Sequence, residues 1–470
     1  MRPYHCRGAR RSYRHARNTH AALLTACLDA QRRPRCTRLV VRVIEARLHG
    51  EQARRTGLVP TSLIGVTEMA PHTVSTSVSG PMPHLADERA MSSSPQSRAL
   101  KGQAVWVPSI LVVAGSLVLR LPGLVHQLFD PDEAAIATMG MVVSRGGVLY
   151  RDVIDRKPPL APFLYAASFI ITGSRDLRPL HLFAALEIAA AALLLAWEVR
   201  RRVSVRAGWW AAGLVLAAAI AFRPTDSQAA NFSHLALLPG CAAIVLARRG
   251  TRRSAVGAGV CLGLAVLTRQ TWIIGLAPAV VAVWLHGRRR ASRGVIVTAT
   301  TLATVASIGL VVPLSGFVHW TFTGNGSLLF DVSPTAKLTD RALLAIAGFV
   351  LAHAAVCWLV IRRGWHRDDL DLWLWLAAGL IAVAAGLRFF EHYWMQALPP
   401  LCLLAAPTIE RFTRNGRRVM VAFVAVPTVF AWWAAWSPAH RANPAPLVAE
   451  VREDTRPNQT VAVWGSFPEI

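Results

Sequence analysis

Residues 180–197 read LHLFAALEIAAAALLLAW, a run in which Glu187 is the one acidic side chain and no Lys or Arg occurs. The runs Gly294–Leu314 and Ala342–Ile361 also carry almost no charge. A helix needs about 20 apolar residues to cross a hydrocarbon layer that is about 30 Å thick. Barrel strands would instead alternate apolar and polar residues, whereas these runs are apolar on all sides. They therefore predict membrane-spanning helices.

Composition supports a protein that lies mostly within the bilayer. Of the 470 residues, 53% are hydrophobic and 16% are charged, whereas soluble domains carry about 25% charged residues. We predict an all-α polytopic membrane protein with about 11–12 transmembrane helices and a large first external loop that carries juxtamembrane helices. The predicted helices are 104–125, 179–199, 208–222, 234–247, 254–268, 271–286, 294–314, 342–361, 371–387, 393–410 and 418–436.

The loop cations predict the orientation of the chain. The formal charge of +25 could suggest nucleic-acid binding, but the cations concentrate in alternate loops, as the positive-inside rule requires of a membrane protein. One set of loops, at 200–206, 248–253, 288–293, 362–367 and 411–418, holds nineteen Arg, whereas the other holds Arg223, Arg269, Lys337, Arg341 and Arg388. The N-terminus is then cytoplasmic, and the protein is a multi-pass protein of the plasma membrane without a nucleic-acid partner. We expect His126–Arg178 to form an external loop, in which Pro159–Thr172 is a short helix that lies against the outer leaflet or dips into it.

The two ends of the chain differ from the apolar middle. Residues 1–100 hold 16 Arg and 6 acids and then become rich in Ser and Pro. We expect this segment to be disordered, or to precede the true start codon. Residues 101–436 form the transmembrane catalytic domain, and 437–470 read as the start of a truncated external region. Seven Cys without a CxxC pair show neither a disulfide framework nor a cysteine metal site.

Polar residues collect in the first external loop. It contains FDPDEAAIA at 129–137 and KPPL at 157–160. Asp132 and Glu133 can serve as catalytic carboxylates, or they can simply cap a short helix whose dipole favours acids. Lys157 can bind an anion, or it can anchor the next apolar helix at the interface.

These motifs, together with RFFEHYWMQALPPL at 388–401 and VWGSFPEI at 463–470, resemble those of the GT-C superfamily. More narrowly, they resemble family 39 membrane glycosyltransferases, such as protein O-mannosyltransferases and the lipid A aminoarabinose transferase. The resemblance covers about residues 100–470. It implies a GT-C-type bundle, a polyprenyl-phosphate sugar donor, transfer at the outer face of the membrane, and inversion of the anomeric carbon by direct displacement.

The resemblance assigns the DE pair to Asp132 and Glu133, with Asp132 as the base that deprotonates the acceptor and Glu133 as its partner or alternate. It also assigns Lys157 to the donor phosphate. Arg269 and Arg388 are charges at membrane depth, which are functional candidates, although each could snorkel to the headgroups. His392 and Tyr393 join Arg388 in one short stretch, and we expect all five residues, Lys157, Arg269, Arg388, His392 and Tyr393, to bind the donor phosphate.

Some features leave alternatives open. Relatives carry an acid in the second external loop, where this chain has Asn231–His234, so that acid is missing or displaced, for instance to Asp226. A divalent metal at Asp132 and Glu133 stays open, since hard oxygen ligands suit Mg²⁺ or Mn²⁺. The alternatives to a transferase are a transporter or lipid flippase and a noncatalytic anchoring protein. The sugar and the acceptor, whether protein, glycan or lipid, do not follow from the sequence.

Overall fold

A computed structural model describes residues 95–126, 128–287, 290–323, 335–385, 387–438 and 453. The predictions for residues 1–94 and for nearly all of 437–470 lie outside this part of the chain. The described part contains α-helices and short 3-10 and π turns but no β-strand. In chain order the α-helices are α1 Pro95–Leu119, α2 Leu121–Val125, α3 Pro131–Ser144, α4 Leu160–Thr172, α5 Arg178–Arg202, α6 Val205–Ile220, α7 Pro224–Gln228, α8 Phe232–Leu235, α9 Leu237–Ala247, α10 Arg252–Thr268, α11 Leu276–His286, α12 Arg290–Ala306, α13 Leu314–Val318, α14 Thr335–Ala352, α15 Ala354–Arg363, α16 Leu370–Ala384, α17 Leu398–Glu410 and α18 Arg414–Ala434.

The all-helical prediction is confirmed in these residues, and a helix forms within every predicted range. By length and composition alone, three helices are able to cross a membrane: Arg178–Arg202, Ala291–Leu310 and Arg414–Ala434. The bent pair Leu338–Ala352 and Ala354–Arg363 adds a fourth if it counts as one span. Breaks interrupt some of the other predicted helices.

Two of these breaks have clear physical causes. The range predicted as one helix at 104–125 is divided at Arg120, because Pro122 has no N–H to continue the hydrogen bonds of the first helix and lies instead in the first turn of the second. The range predicted as one helix at 342–361 bends by 79° around His353. The His353 imidazole pairs with the carbonyl of Phe349 at 2.9 Å and with the carbonyl of Ala218 on α6 at 3.1 Å. This fixes the bend against a neighbouring helix.

The short apolar segment of the first loop forms a helix, as predicted. It forms α4, Leu160–Thr172, which ends at Gly173 in the left-handed conformation that glycine adopts without strain. Its residues Tyr165 and Ala166 pack so closely on α3 that a Cβ at Gly140 would meet both of them. The two short helices of the first loop therefore form one unit.

Helix α5 connects two polar clusters at opposite ends of the bundle. Near its start, His181 contacts residues of the first two predicted external loops. At its end, Glu198 and Arg202 form ion pairs, and Glu198 also pairs with the buried Arg248 at 3.2 Å. With a rise of 1.5 Å per residue, the two clusters lie roughly 30 Å apart along the helix, which is about the thickness of the hydrocarbon layer.

Candidate active site

The N-terminus of α3 sets the position of the first-loop acids. Asp130 is the N-cap, and its carboxylate accepts the Asp132 backbone N–H at 3.0 Å. Glu133 closes a capping box, because its Oε2 accepts the backbone N–H groups of Phe129 at 3.0 Å and Asp130 at 3.4 Å. Capping orders the first turn, so the Asp132 side chain leaves the helix from a fixed backbone.

Lys157 lies directly beside Asp132. Its Nζ is 3.3 Å from Asp132 Oδ2 and 4.9 Å from the centre of the Phe232 ring. The Tyr150 hydroxyl donates to the Lys157 carbonyl at 2.8 Å, and Tyr150 itself has φ of 67°. A non-glycine residue with positive φ is uncommon and costs free energy. The structure thus holds the Lys157 backbone in place through a strained turn.

A cavity of about 560 Å³ opens at this pair. Four of the predicted phosphate-binding side chains, Lys157, Arg269, Arg388 and Tyr393, line it together with Asp132. Its wall also contains Ala135, Asp155, Arg156, Phe232, Gln270, Thr271, Thr321, Phe322, Ala382, Ala385 and Phe390. Residues distant in the sequence therefore meet around one space that is large enough for a ligand.

Two arginines enter the cavity from different segments. The Arg269 guanidinium lies 4.1 Å from the centre of the Tyr393 ring, contacts the Ser233 hydroxyl and donates from Nε to Thr271 Oγ1 at 3.1 Å. Arg388 lies between Leu387 and Phe389, whose φ angles are 50° and 52°. Strain of this kind persists where the surrounding structure enforces it.

His392 is set back from the cavity and is not among its lining residues. Its Nδ1 bonds to Asp226 Oδ1, which also accepts the His392 backbone N–H at 3.1 Å. Its Nε2 lies 3.9 Å from Asp132 Oδ2. Of the five residues expected to bind phosphate, His392 is thus the one that does not line the cavity, and it lies behind Asp132.

Glu133 has no access to the cavity. Its side chain has 0% exposed surface, and Oε1 accepts the Ala230 backbone N–H at 2.5 Å while lying 3.2 Å from His181 Nε2. Since Oε2 is already bonded to backbone N–H groups of the cap, both oxygens have partners. Of the two acids in the DE pair, Asp132 alone faces the cavity.

The second loop is fixed by residues that the sequence reasoning did not single out. The buried Arg120 guanidinium donates to the carbonyls of Ser227 at 2.5 Å, Gln228 at 2.8 Å and Ala229 at 2.8 Å. These bonds hold the loop that carries Asp226. The sequence does show a single arginine within the apolar range 104–125, which is a signal for a functional or structural role. Its partners, however, are main-chain carbonyls, which cannot be recognised from the pattern of side chains.

Charge and burial move the pKa values of these acids in different directions. The Lys157 ammonium lowers the pKa of Asp132. Burial raises the pKa of Asp130 to about 7, and the neighbouring Asp132 carboxylate adds to this rise. Burial also raises the pKa of Glu133 to about 7, although three backbone N–H groups oppose it. Burial raises the pKa of Asp226, but the bonds from His392 outweigh burial and lower it overall.

The described residues contain one group of three side chains, Asp130, Asp226 and His392, whose ligand atoms all lie within 4.8 Å of one another. In this arrangement His392 Nδ1 is already hydrogen-bonded to Asp226 Oδ1. Adjacent ligands of octahedral Mg²⁺ are about 3 Å apart and both direct lone pairs at the ion. Here Nδ1 and Oδ1 are directed at each other through a hydrogen, so this pair does not fit a shared cation. The Asp132–Glu133 pair does not fit one either, because the Glu133 oxygens are directed at N–H groups.

No protein-family model and no curated protein sequence matches the chain. Among solved structures, it is similar to ArnT from Cupriavidus metallidurans in the apo state, with 18% identity, 69% of this chain and 62% of that chain covered, and a TM-score of 0.49. It is also similar to the apo oligosaccharyltransferase of Archaeoglobus fulgidus, with 13% identity, 75% and 58% covered, and a TM-score of 0.49. For arabinosyltransferase EmbB from Mycobacterium smegmatis, the values are 15% identity, 78% and 40% covered, and a TM-score of 0.44.

All three are GT-C glycosyltransferases, the superfamily that the loop motifs resemble. The chain spans about three fifths of the length of the ArnT chain. At these identities and scores, function has to be inferred from the residues of the site itself.

Proposed function

We propose that this protein is a membrane glycosyltransferase that moves a sugar from a polyprenyl-phosphate donor to an acceptor hydroxyl. The observation that carries the proposal is the convergence of the Asp132 carboxylate with Lys157, Arg269 and Arg388 at one cavity of about 560 Å³. The resemblance of the DE and KPPL motifs to family 39 glycosyltransferases supports it. A solved structure of Cupriavidus ArnT holds undecaprenyl phosphate, which is a ligand of the class proposed here.

The chemistry requires a base for the acceptor. The acceptor oxygen attacks the anomeric carbon and loses its proton as the carbon–oxygen bond forms, and a carboxylate within reach can take that proton. Asp132 fits this role because it is the acid of the DE pair that borders the cavity. Its lowered pKa keeps it ionised at neutral pH. Direct attack on the face opposite the leaving group inverts the anomeric centre.

The leaving group is a lipid phosphate, which gains negative charge as the bond to the sugar breaks. Fixed cations stabilise such charge without reorganising. Lys157 supplies a point charge, whereas Arg269 and Arg388 supply planar forks that can bind two phosphate oxygens each. Tyr393 lines the same cavity and can donate its hydroxyl. Phe322 and Phe390 also line the cavity and offer apolar surface to a prenyl chain.

The proposed orientation follows from the loop cations. We propose a plasma-membrane protein with a cytoplasmic N-terminus, a catalytic domain over 101–436 and the cavity on the external face. Segment 437–470 then lies on the external side as well. Residues from the predicted external loops, among them Lys157, Asp226, Arg269 and Arg388, meet at one end of the bundle, which supports a single orientation for all of them.

The decisive test is transfer of radiolabelled sugar from polyprenyl phosphate by membranes that contain the 470-residue chain. Asp132→Asn should abolish transfer, because the amide keeps the shape of the carboxylate but cannot accept the proton. Asp368→Asn, an exposed acid outside the cavity, is the matched control and should retain activity. Lipid flipping without sugar transfer, unaffected by Asp132→Asn, would overturn the proposal in favour of a transporter or flippase.

The orientation has its own test. A cysteine placed at Arg151, an exposed residue of the first loop, should react with a membrane-impermeant maleimide added to intact cells, provided that the native cysteines are silent. Reaction only after the membrane is opened would reverse the topology.

A further inference from the structure

His392 lies between two carboxylates. On one side, Asp226 Oδ1 bonds to both Nδ1 and the backbone N–H of His392, the latter at 3.1 Å. On the other side, Nε2 faces Asp132 Oδ2 at 3.9 Å. The histidine is 5% exposed, so its ring orientation is set by these protein partners rather than by water.

The hydrogen bond to Asp226 determines which nitrogen carries the proton. An ionised carboxylate can only accept, and the pKa of Asp226 is lowered, so Nδ1 must hold the hydrogen. In a neutral ring, the lone pair is then on Nε2, the nitrogen that faces Asp132. A histidine held in this way by a carboxylate accepts a proton readily, because the carboxylate stabilises the imidazolium that forms.

We propose that His392, oriented by Asp226, receives the proton that Asp132 takes from the acceptor. The inference rests on the proposed function and adds a second step to it. First, the acceptor O–H proton moves to Asp132 Oδ2 while the new glycosidic bond forms and the lipid phosphate leaves with the bonding electron pair. The proton then moves from Oδ2 to His392 Nε2, which gives an imidazolium beside Asp226. Release of this proton to water returns both residues to their starting states.

Asp132 cannot pass its proton to its other close neighbour. Lys157 lies 3.3 Å from the same oxygen, but an ammonium has three donors and no acceptor. It also disfavours a protonated Asp132, because its charge stabilises the carboxylate. His392 is thus the neighbour that has a lone pair close to Asp132. One small side-chain rotation would shorten the 3.9 Å between His392 Nε2 and Asp132 Oδ2 to hydrogen-bond distance.

Charged groups from several elements lie around His392. Acids approach from several elements, namely Asp130 and Asp132 of the first loop, Asp226 of α7, and Glu391, which forms an ion pair with Arg223 at 2.8 Å. The opposing groups are Lys157, Arg269 and the buried His234. Asp226 is in direct contact with His392, and Lys157 pairs with Asp132.

The experiment compares His392→Gln and Asp226→Asn with His319→Gln, an exposed histidine of the neighbouring wall. Glutamine keeps hydrogen bonding but cannot take up a proton. We expect His392→Gln to lower kcat by about 100-fold or more, since a positioned proton-transfer group contributes about 10²- to 10⁴-fold, with donor KM changed less than about twofold. Asp226→Asn should lower kcat in the same direction, and His319→Gln should leave both constants unchanged.

Chemical rescue separates proton transfer from a structural role. In His392→Ala, added imidazole should restore part of kcat without altering donor KM. A raised donor KM with unchanged kcat in His392→Gln would overturn the inference and make His392 a phosphate ligand. An absence of rescue together with a lowered melting temperature would also overturn it. If the unmodified protein transfers no sugar at all, the proposed function fails first, and this outcome is distinct from the others.

Discussion

Nε2 of His181 lies 3.2 Å from Oε1 of Glu133, and neither side chain has any exposed surface. The pair joins a membrane-crossing helix, α5, to the first turn of α3. The other ring nitrogen of His181 lies 3.1 Å from the Gln228 carbonyl, so the same histidine also contacts the loop that carries Asp226. Glu133 is therefore best described as the residue that positions the site, while Asp132 acts within it.

Glu133→Gln should destabilise the protein. The amide nitrogen would face the backbone N–H of Ala230, or those of Phe129 and Asp130, so that buried donors meet without an acceptor at a cost of about 1–3 kcal/mol. Thermal unfolding in detergent would measure this. Asp132→Asn is the matched control, since Asp132 borders the cavity, and its melting temperature should change much less. Equal melting temperatures for the two variants would contradict the positioning role of Glu133.

Asp130→Asn should change the pH dependence of stability. The pKa of Asp130 is raised to about 7 in the folded protein from an ordinary value of 3.8, so the folded state binds more protons than the unfolded state between these values. Stability then falls as pH rises from about 4 to about 7. Asparagine caps a helix about as well as aspartate, so the variant should lose less stability over this interval. A steeper loss than in the unmodified protein would refute the assignment.

Lys157→Met should shift the acidic limb of the rate profile upwards. The Lys157 charge is the main cause of the lowered Asp132 pKa, so its removal should raise that pKa and bring protonation of the base closer to neutral pH. The measurement is kcat against pH at saturating donor, because phosphate binding will also weaken. An acidic limb that stays in place would mean that Asp132 does not carry the observed ionisation.

Arg388→Gln should raise donor KM by about tenfold or more, since a charge-assisted bond to phosphate contributes about 1.5–3 kcal/mol. Arg151→Gln serves as the control, because Arg151 is an exposed arginine that pairs with Asp152 at 2.9 Å and does not line the cavity. Lipid phosphate titration with both variants distinguishes a specific site from general attraction to the cationic surface. Equal losses in the two variants would argue against the specific site.

Arg248→Gln should destabilise the far end of the bundle. Arg248 lies 3.2 Å from Glu198 Oε1 and 3.2 Å from Asp371 Oδ2, and Asp371 has 0% exposed side chain. Removing one partner of a buried ion pair costs about 3–5 kcal/mol, because the remaining charge loses its partner. Arg253→Gln, at an exposed neighbour, should be nearly neutral. Detergent melting curves of both proteins provide the comparison.

The position of the site could be predicted from the sequence better than the roles of the residues within it. Loop charge placed the segments of Asp132, Lys157, Arg269 and Arg388 on one face, and the structure brings these four residues to one cavity. Helix ends and tertiary partners were harder to predict, as at Arg120, whose guanidinium bonds to carbonyl groups more than one hundred residues away. Such partners leave no periodic signal in the sequence.

Long apolar runs and loop charge alone determined that the chain is an all-helical membrane protein whose polar loops gather at one end, because lipid excludes unpaired backbone groups and unshielded charge. Only the tertiary structure decided which acid of the DE pair faces the cavity. Asp132 and Glu133 are adjacent and chemically alike, but successive side chains of a helix are rotated by about 100° from each other. Asp132 therefore borders the cavity, whereas Glu133 is enclosed by His181 and three backbone N–H groups. Only the structure placed His392 behind Asp132, since that contact depends on how loops from distant helices pack together.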